Sequence, residues 1–144
     1  MAWGRGISLI SCAALALALL IGGAAGARPA ELIMFKQPYC EWCQAWEEEV
    51  GVIYDKTEEG KRVPVRRVDI FSKRPDDLKS IKRIIFTPTF VLWNNGAEVG
   101  RIMGYPGEEN FWGLLGRLLE RLPGWRDKSA ALGAGSRQGK ETKQ

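Results

Sequence analysis

The sequence contains no histidine. That excludes Ser-His-Asp and Cys-His catalysis, histidine-ligated zinc or haem, and a histidine pH switch. Cysteine is scarce, with three in 144 residues, so a disulfide-dense scaffold and a four-cysteine zinc site are excluded too. A strong charge imbalance is also missing. The chain carries 21 Lys and Arg against 17 Asp and Glu, a net +4. Residues 1–27 hold one base, Arg5, and no acid, residues 28–122 hold 15 bases and 15 acids, and residues 123–144 hold five bases and two acids. The excess therefore lies at the two ends, and the neutral middle offers no footprint for nucleic acid. What remains is an ordinary balance, 45% hydrophobic and 26% charged, in a length that suits one domain. The chain shows no internal repeat.

The first 27 residues read as a signal peptide. Arg5 supplies the charged start, residues 7–21 are Ala, Leu and Ile broken only by Ser8, Ser11 and Cys12, and Ala25-Gly26-Ala27 is a small-x-small end. Cleavage is expected before Arg28; a retained membrane anchor is the competing reading, against which the apolar run is short for a span. Cys12 lies mid-run and is discarded with it. The mature protein then keeps two cysteines, Cys40 and Cys43, in an oxidising compartment. The domain is expected over 28–124, and residues 125–144, which lack periodicity, read as a disordered basic tail.

Within the domain, strand and helix patterns alternate. Residues 32–35 (Leu-Ile-Met-Phe) form a continuous apolar run, as in a strand buried on both faces. After Gln37-Pro38-Tyr39, residues Trp42, Trp46, Val50 and Ile53 recur at helical spacing. Gly60 is expected to end that helix. Glu47-Glu48-Glu49 reads as its solvated face, with a docking surface for a basic partner as the alternative. Residues 63–70 read as a strand, placed at a sheet edge by Pro64, which cannot donate to a ladder. Residues 75–85 read as a second helix, with Pro75 in the first turn, Asp76 and Asp77 near its start, and Leu78, Ile81 and Ile85 as its apolar stripe. Residues 90–93 are a buried strand and Asn94-Asn95-Gly96 a tight hairpin turn, with residues 98–103 returning. Phe111, Leu114, Leu115, Leu118, Leu119 and Leu122 mark the last helix. Trp46 and Trp93 fall on core patterns. The order over residues 31–122 is β-α-β-α-β-β-α, an α/β fold with a mixed four-stranded sheet, its first crossover parallel and right-handed.

Cys40-Glu41-Trp42-Cys43 follows a strand and opens a helix. The i, i+3 spacing puts both sulfurs on one helix face, close enough to bridge. Unpaired N–H groups at the helix start favour a thiolate, the attacking species. Cys40 is therefore assigned as nucleophile and Cys43, one turn deeper, as the thiol that resolves a mixed disulfide. The competing readings are an inert disulfide, which so short a loop would make weakly stabilising, and a Cu(I) site of two soft thiolates in a copper chaperone without redox turnover. No resident metal or cofactor is expected beyond the redox-active cysteine pair.

With Thr87-Pro88-Thr89 about 45 residues downstream and ahead of a strand, residues 31–122 resemble the thioredoxin superfamily. The resemblance implies that Pro88 is a cis-proline beside the cysteines and that the backbone of Thr87 pairs with a substrate polypeptide. Tyr39 and Tyr105, from loops expected beside Cys40, are candidates to line the substrate groove; Trp42, between the cysteines, either borders that groove or packs inward. The chain departs from thioredoxin in several ways. Glu-Trp stands between the cysteines, Tyr39 replaces a tryptophan, and the first strand and helix are missing. Met34 replaces the buried acid that serves the resolving thiol, leaving Glu41 or water for that role.

Tyr54-Asp55-Lys56-Thr57, residues 65–70 (Val-Arg-Arg-Val-Asp-Ile), Gly104-Tyr105-Pro106-Gly107 and Phe111-Trp112 resemble the SoxS-type periplasmic thioredoxins of bacterial sulfur oxidation. That narrower resemblance implies a protein that maintains the thiol of a sulfur-carrier protein and draws electrons from a membrane thiol transporter; a monomer is expected, since the sequence shows no dimerisation element. Glu41, as the residue tuning Cys40, places a negative charge that disfavours the thiolate and so favours reduction of partner disulfides. A disulfide oxidase or isomerase is the alternative enzyme.

Overall fold

The computed structural model describes residues 28–127 and residue 130. The expected signal peptide at 1–27 lies outside them, as does nearly all of the expected tail. Strand β1 (Glu31–Lys36) leads into helix α1 (Glu41–Trp46), a π-helical turn (Glu47–Gly51) and the short α2 (Val52–Tyr54). Helix α3 (Glu58–Arg62), strand β2 (Val65–Asp69), a 3-10 turn (Asp76–Leu78), strands β3 (Thr89–Asn94) and β4 (Ala97–Met103) and helix α4 (Glu108–Leu119) follow. The sheet order is β2-β1-β3-β4. β1 pairs with β2 in parallel, and with β3 antiparallel, as β3 does with β4. This is the expected α/β class with a mixed four-stranded sheet, and β2, next to Pro64, is at its edge.

The side chains of β1 divide between two cores, as the pleat requires. Leu32 and Met34 point to one face, where they meet Trp46, Tyr54, Phe90, Phe111 and Leu115 beneath the helices. Ile33 and Phe35 point to the other, against Val68, Leu78, Ile81, Val91 and Trp93. Trp46 and Trp93 are thus both in the core. The hairpin turn carries φ +50° at Asn95 and +79° at Gly96, the paired left-handed geometry that favours Asn-Gly. A Cβ on Gly100 would stand 2.7 Å from Leu118, so glycine there lets α4 lie close against β4.

Two local expectations are corrected. The helix over 75–85 is a single 3-10 turn at 76–78 followed by chain without regular structure. Pro75 is extended at ψ 144°, Arg83 takes φ +52°, and the β-branched Ile81, Ile84 and Ile85 add little helix propensity. Leu78 and Ile81 are buried without a helix, while Ile85 is 70% exposed. Gly60 does not end the first helix; it lies inside α3, where Thr57 caps the turn by accepting its N–H at 3.0 Å. A Cβ there would fall 1.9 Å from the Tyr54 carbonyl oxygen, so close approach is what requires glycine. At the other end, the Arg62 guanidinium lies 3.5 Å over the Trp125 ring and donates to its carbonyl, and Trp125 packs on the helix-side core.

Candidate redox site

β1 ends at Lys36, and the chain turns through Tyr39, at φ +59°, into α1. Cys40 is the N-cap of α1, and its sulfur accepts the Cys43 N–H at 3.2 Å. Cys40 and Cys43 form a disulfide, S–S 2.09 Å. Cys40 is 7% exposed and Cys43 3%, so both cysteines are nearly buried, Cys40 at the N-cap and Cys43 inside the first turn of α1. A helix start of this kind favours the thiolate form of a cysteine at its N-cap.

A cleft of about 320 Å³ opens beside the pair, lined by Lys36, Gln37, Pro38, Tyr39, Gln44, Glu47 and Glu48 with both cysteines. Tyr39 is almost wholly exposed and Trp42 is exposed on the first turn of α1. Glu41 is an exposed first-turn acid. The Thr87–Pro88 bond is cis, the form that the resemblance implies. Thr89 pairs with Phe35 of β1, so Thr87-Pro88 and the loop to Cys40 leave the sheet at the same end. The Pro88 carbonyl accepts the Gly104 N–H at 2.8 Å.

Tyr105 is a correction. It is buried rather than lining the groove; its ring packs edge-on to Phe111, and its hydroxyl donates to Glu49 at 2.5 Å. Burial first, and then the Glu49 carboxylate, push its phenol above the ordinary 10.0. It ties the loop after β4 to the π-helical turn. Glu47 is likewise more than a solvated acid, because Arg67 donates to both its oxygens at 2.6 and 2.7 Å, with Lys36 at 3.9 Å. Sequence reading gave no sign of these pairs, which join elements distant in the chain. Met34 is fully buried in the helix-side core, so no acid stands at that position. Among the described residues no cluster of three or more His, Cys, Asp or Glu could hold a metal ion.

No protein-family model matches the chain, and no curated protein matches it. Among solved structures it is similar to the reduced periplasmic thioredoxin SoxS of Paracoccus pantotrophus, at 41% identity over 64% of this chain and 97% of that one, TM-score 0.61. A thioredoxin of Malassezia sympodialis matches at 21% identity, covering 62% of this chain and 74% of that one, TM-score 0.46. Thioredoxin-2 of the malaria parasite matches at 20%, covering 61% and 82%, TM-score 0.46. The Cys40–Cys43 disulfide at a strand-to-helix junction and the similarity spanning nearly all of SoxS together show that this chain belongs to the thioredoxin family of thiol–disulfide oxidoreductases.

Proposed function

We propose that this protein is a periplasmic reductant of protein disulfides. It would keep the thiol of a sulfur-oxidation carrier protein available and would itself be re-reduced by a membrane thiol transporter. The observation that carries this reading is the similarity to the periplasmic SoxS along nearly its whole length. The apolar, small-ended segment before Arg28 supports export. In the proposed cycle the Cys40 thiolate attacks one sulfur of a substrate disulfide. A mixed disulfide forms, and the other substrate sulfur leaves as a thiolate. Cys43, as its thiolate, then attacks the Cys40 sulfur, which expels the second substrate thiolate and closes the Cys40–Cys43 bond. Two electrons pass to the substrate and the protein becomes oxidised. Thr87 would offer its backbone to the substrate chain beside Pro88, with Tyr39 and Trp42 flanking. Glu41, one residue from Cys40, makes the thiolate less favourable and the protein a better reductant. The protein is expected to act as a monomer.

The test is reduction of insulin by the purified mature chain with dithiothreitol as electron source, beside an anaerobic Cu(I) titration. Catalysed insulin reduction that Cys40→Ser abolishes supports the reading. Tight Cu(I) binding without insulin reduction would replace it with the copper-chaperone reading. Mass spectrometry of the periplasmic fraction should find the N-terminus at or near Arg28; an uncleaved chain in the membrane would contradict that localisation.

A further inference from the structure

Three successive carbonyl groups in the irregular segment before Pro88 are held by arginine side chains, one from the start of the same crossing and one from β4. Arg74 donates to the Ile81 carbonyl at 2.6 Å. Arg101 donates to the Arg83 carbonyl at 3.0 Å and to the Lys82 carbonyl at 3.2 Å. A segment without helix must find donors for its backbone outside itself, and here the planar guanidinium supplies them in a fixed fork. Arg101 lies on β4 and is braced by Glu98, which accepts two of its N–H groups at 2.6 Å each. The far end of the segment is pinned separately, because the Thr89 hydroxyl donates to the Phe86 carbonyl at 2.7 Å. Between these two anchors Ile85 and Phe86 stand 70% and 61% exposed. Met103, paired with Thr89 across the hairpin, is exposed at the same end of the sheet.

We propose that Arg101, braced by Glu98, is a positioning residue for protein substrates: by holding the Lys82 and Arg83 carbonyls it presents Ile85 and Phe86 as a fixed apolar lip beside Thr87-Pro88. The inference rests on the proposed function, in that polypeptide flanking the target disulfide is what the lip receives. A small disulfide reaches Cys40 without touching the lip. Arg101 therefore acts on recognition of polypeptide and leaves thiol chemistry alone. Arg101 and Glu98 form a locally neutral pair, and since Arg101→Met leaves the Glu98 carboxylate uncompensated, the Cys40 alkylation profile is measured beside the kinetics to separate positioning from a change of field.

The experiment compares unaltered protein, Arg101→Met and Arg101→Lys with two oxidised substrates, insulin and hydroxyethyl disulfide. Arg101→Met keeps the aliphatic stem and loses every donor, while Arg101→Lys keeps the charge but cannot span Glu98 and two carbonyls. Arg101→Met is expected to raise the insulin KM roughly tenfold with kcat within about twofold, and Arg101→Lys to fall between. Turnover of hydroxyethyl disulfide and the pH profile of Cys40 alkylation should match the unaltered protein. Amides of residues 82–87 should exchange faster in Arg101→Met while those of α4 do not change. An unchanged insulin KM, or a parallel loss on both substrates with a displaced alkylation profile, overturns the inference. Should Arg101→Met fail to fold, Glu98→Gln loosens the brace and is expected to raise the insulin KM in the same direction by a smaller factor; no rise overturns it. Absence of insulin turnover by the unaltered protein is a different result, which overturns the parent reading and this inference with it.

Discussion

The two faces of the sheet are covered in different ways. On one, α1 and α4 pack an aromatic cluster in which Trp46 and Phe90 lie 5.1 Å apart, Trp46 and Phe111 5.7 Å, and Phe90 and Phe111 4.9 Å. On the other, residues 70–88 cross the sheet with one 3-10 turn and reach it through Leu78 and Ile81. That crossing is tied by polar bonds: Arg66 to Asp77 at 2.7 Å, Arg74 to the Ile81 carbonyl and Arg101 to the next two. The helix that carries the cysteines thus rests on buried apolar area, while the lip beside Pro88 rests on side-chain to backbone bonds. Apolar burial is non-directional and cumulative. Polar ties are few and specific, and exposed ones are weak. The redox bond is held on the firm face and the proposed lip on the one that can be retuned by single substitutions.

The sharpest way to break this contrast is to truncate one large side chain on each face. Phe111→Ala should cost ~3–5 kcal/mol, because its four aromatic neighbours, Trp46, Phe90, Tyr105 and Trp112, cannot all close the gap. At roughly 4–8 °C per kcal/mol, that is a fall of more than about 12 °C in Tm. Leu78→Ala should cost nearer the lower end of the range for buried leucine, about 2–3 kcal/mol, since the irregular chain can settle into the space. Equal losses in thermal unfolding would mean that the two faces are equally rigid.

Much of this was legible in the sequence where a pattern repeats locally. The run at 32–35, the stripe from Phe111 to Leu122 and Asn95-Gly96 each carry their structure in neighbouring residues. The Cys40–Cys43 pair was legible because a three-residue spacing at a helix start already implies bridging. The crossing at 75–85 misled because Leu78 and Ile81 need only one turn to reach the core together, and helical spacing over so short a span does not require a helix. Gly60 misled because glycine serves close approach as well as helix ends. Tyr105 turned inward on account of Glu49, 56 residues away, and the Arg101 clasp joins residues 18 and 19 apart. Such pairs leave no periodic trace.

Acid should loosen the two faces unequally. The hydrogen bond from Arg66, opposed by partial desolvation, holds the Asp77 carboxyl below its ordinary 3.8. A carboxylate whose folded pKa is lowered contributes stability above its unfolded value and loses it as pH falls through the folded one. Below about pH 3.8, amide exchange in residues 76–83 should therefore accelerate before that of α4, and Arg66→Gln should remove most of this acid response. Simultaneous loosening of both faces in the unaltered protein would argue that Asp77 is not what ties the crossing down.

A smaller effect concerns the redox helix itself. Glu41 is exposed on the first turn of α1, so solvent screens its charge from the Cys40 sulfur. Glu41→Gln should raise the reduction potential by about 10 mV and speed Cys40 alkylation slightly near neutral pH. Equilibration in glutathione buffers measures the first. An unchanged or lower potential would remove the charge-based reason for favouring reduction over oxidation.

Division of labour between the cysteines is the centre of the account, and Cys43→Ser tests it most directly. Without the resolving thiol, reduced Cys43→Ser incubated with an oxidised protein substrate should stop at the mixed disulfide. Peptide mapping by mass spectrometry should then locate the adduct on Cys40, in near-stoichiometric yield and releasable by dithiothreitol. The converse variant, Cys40→Ser, should trap little, because Cys43 lies inside α1, past the N-cap position that Cys40 occupies. Abundant trapping through Cys43 in Cys40→Ser, with none through Cys40 in Cys43→Ser, would contradict the assignment.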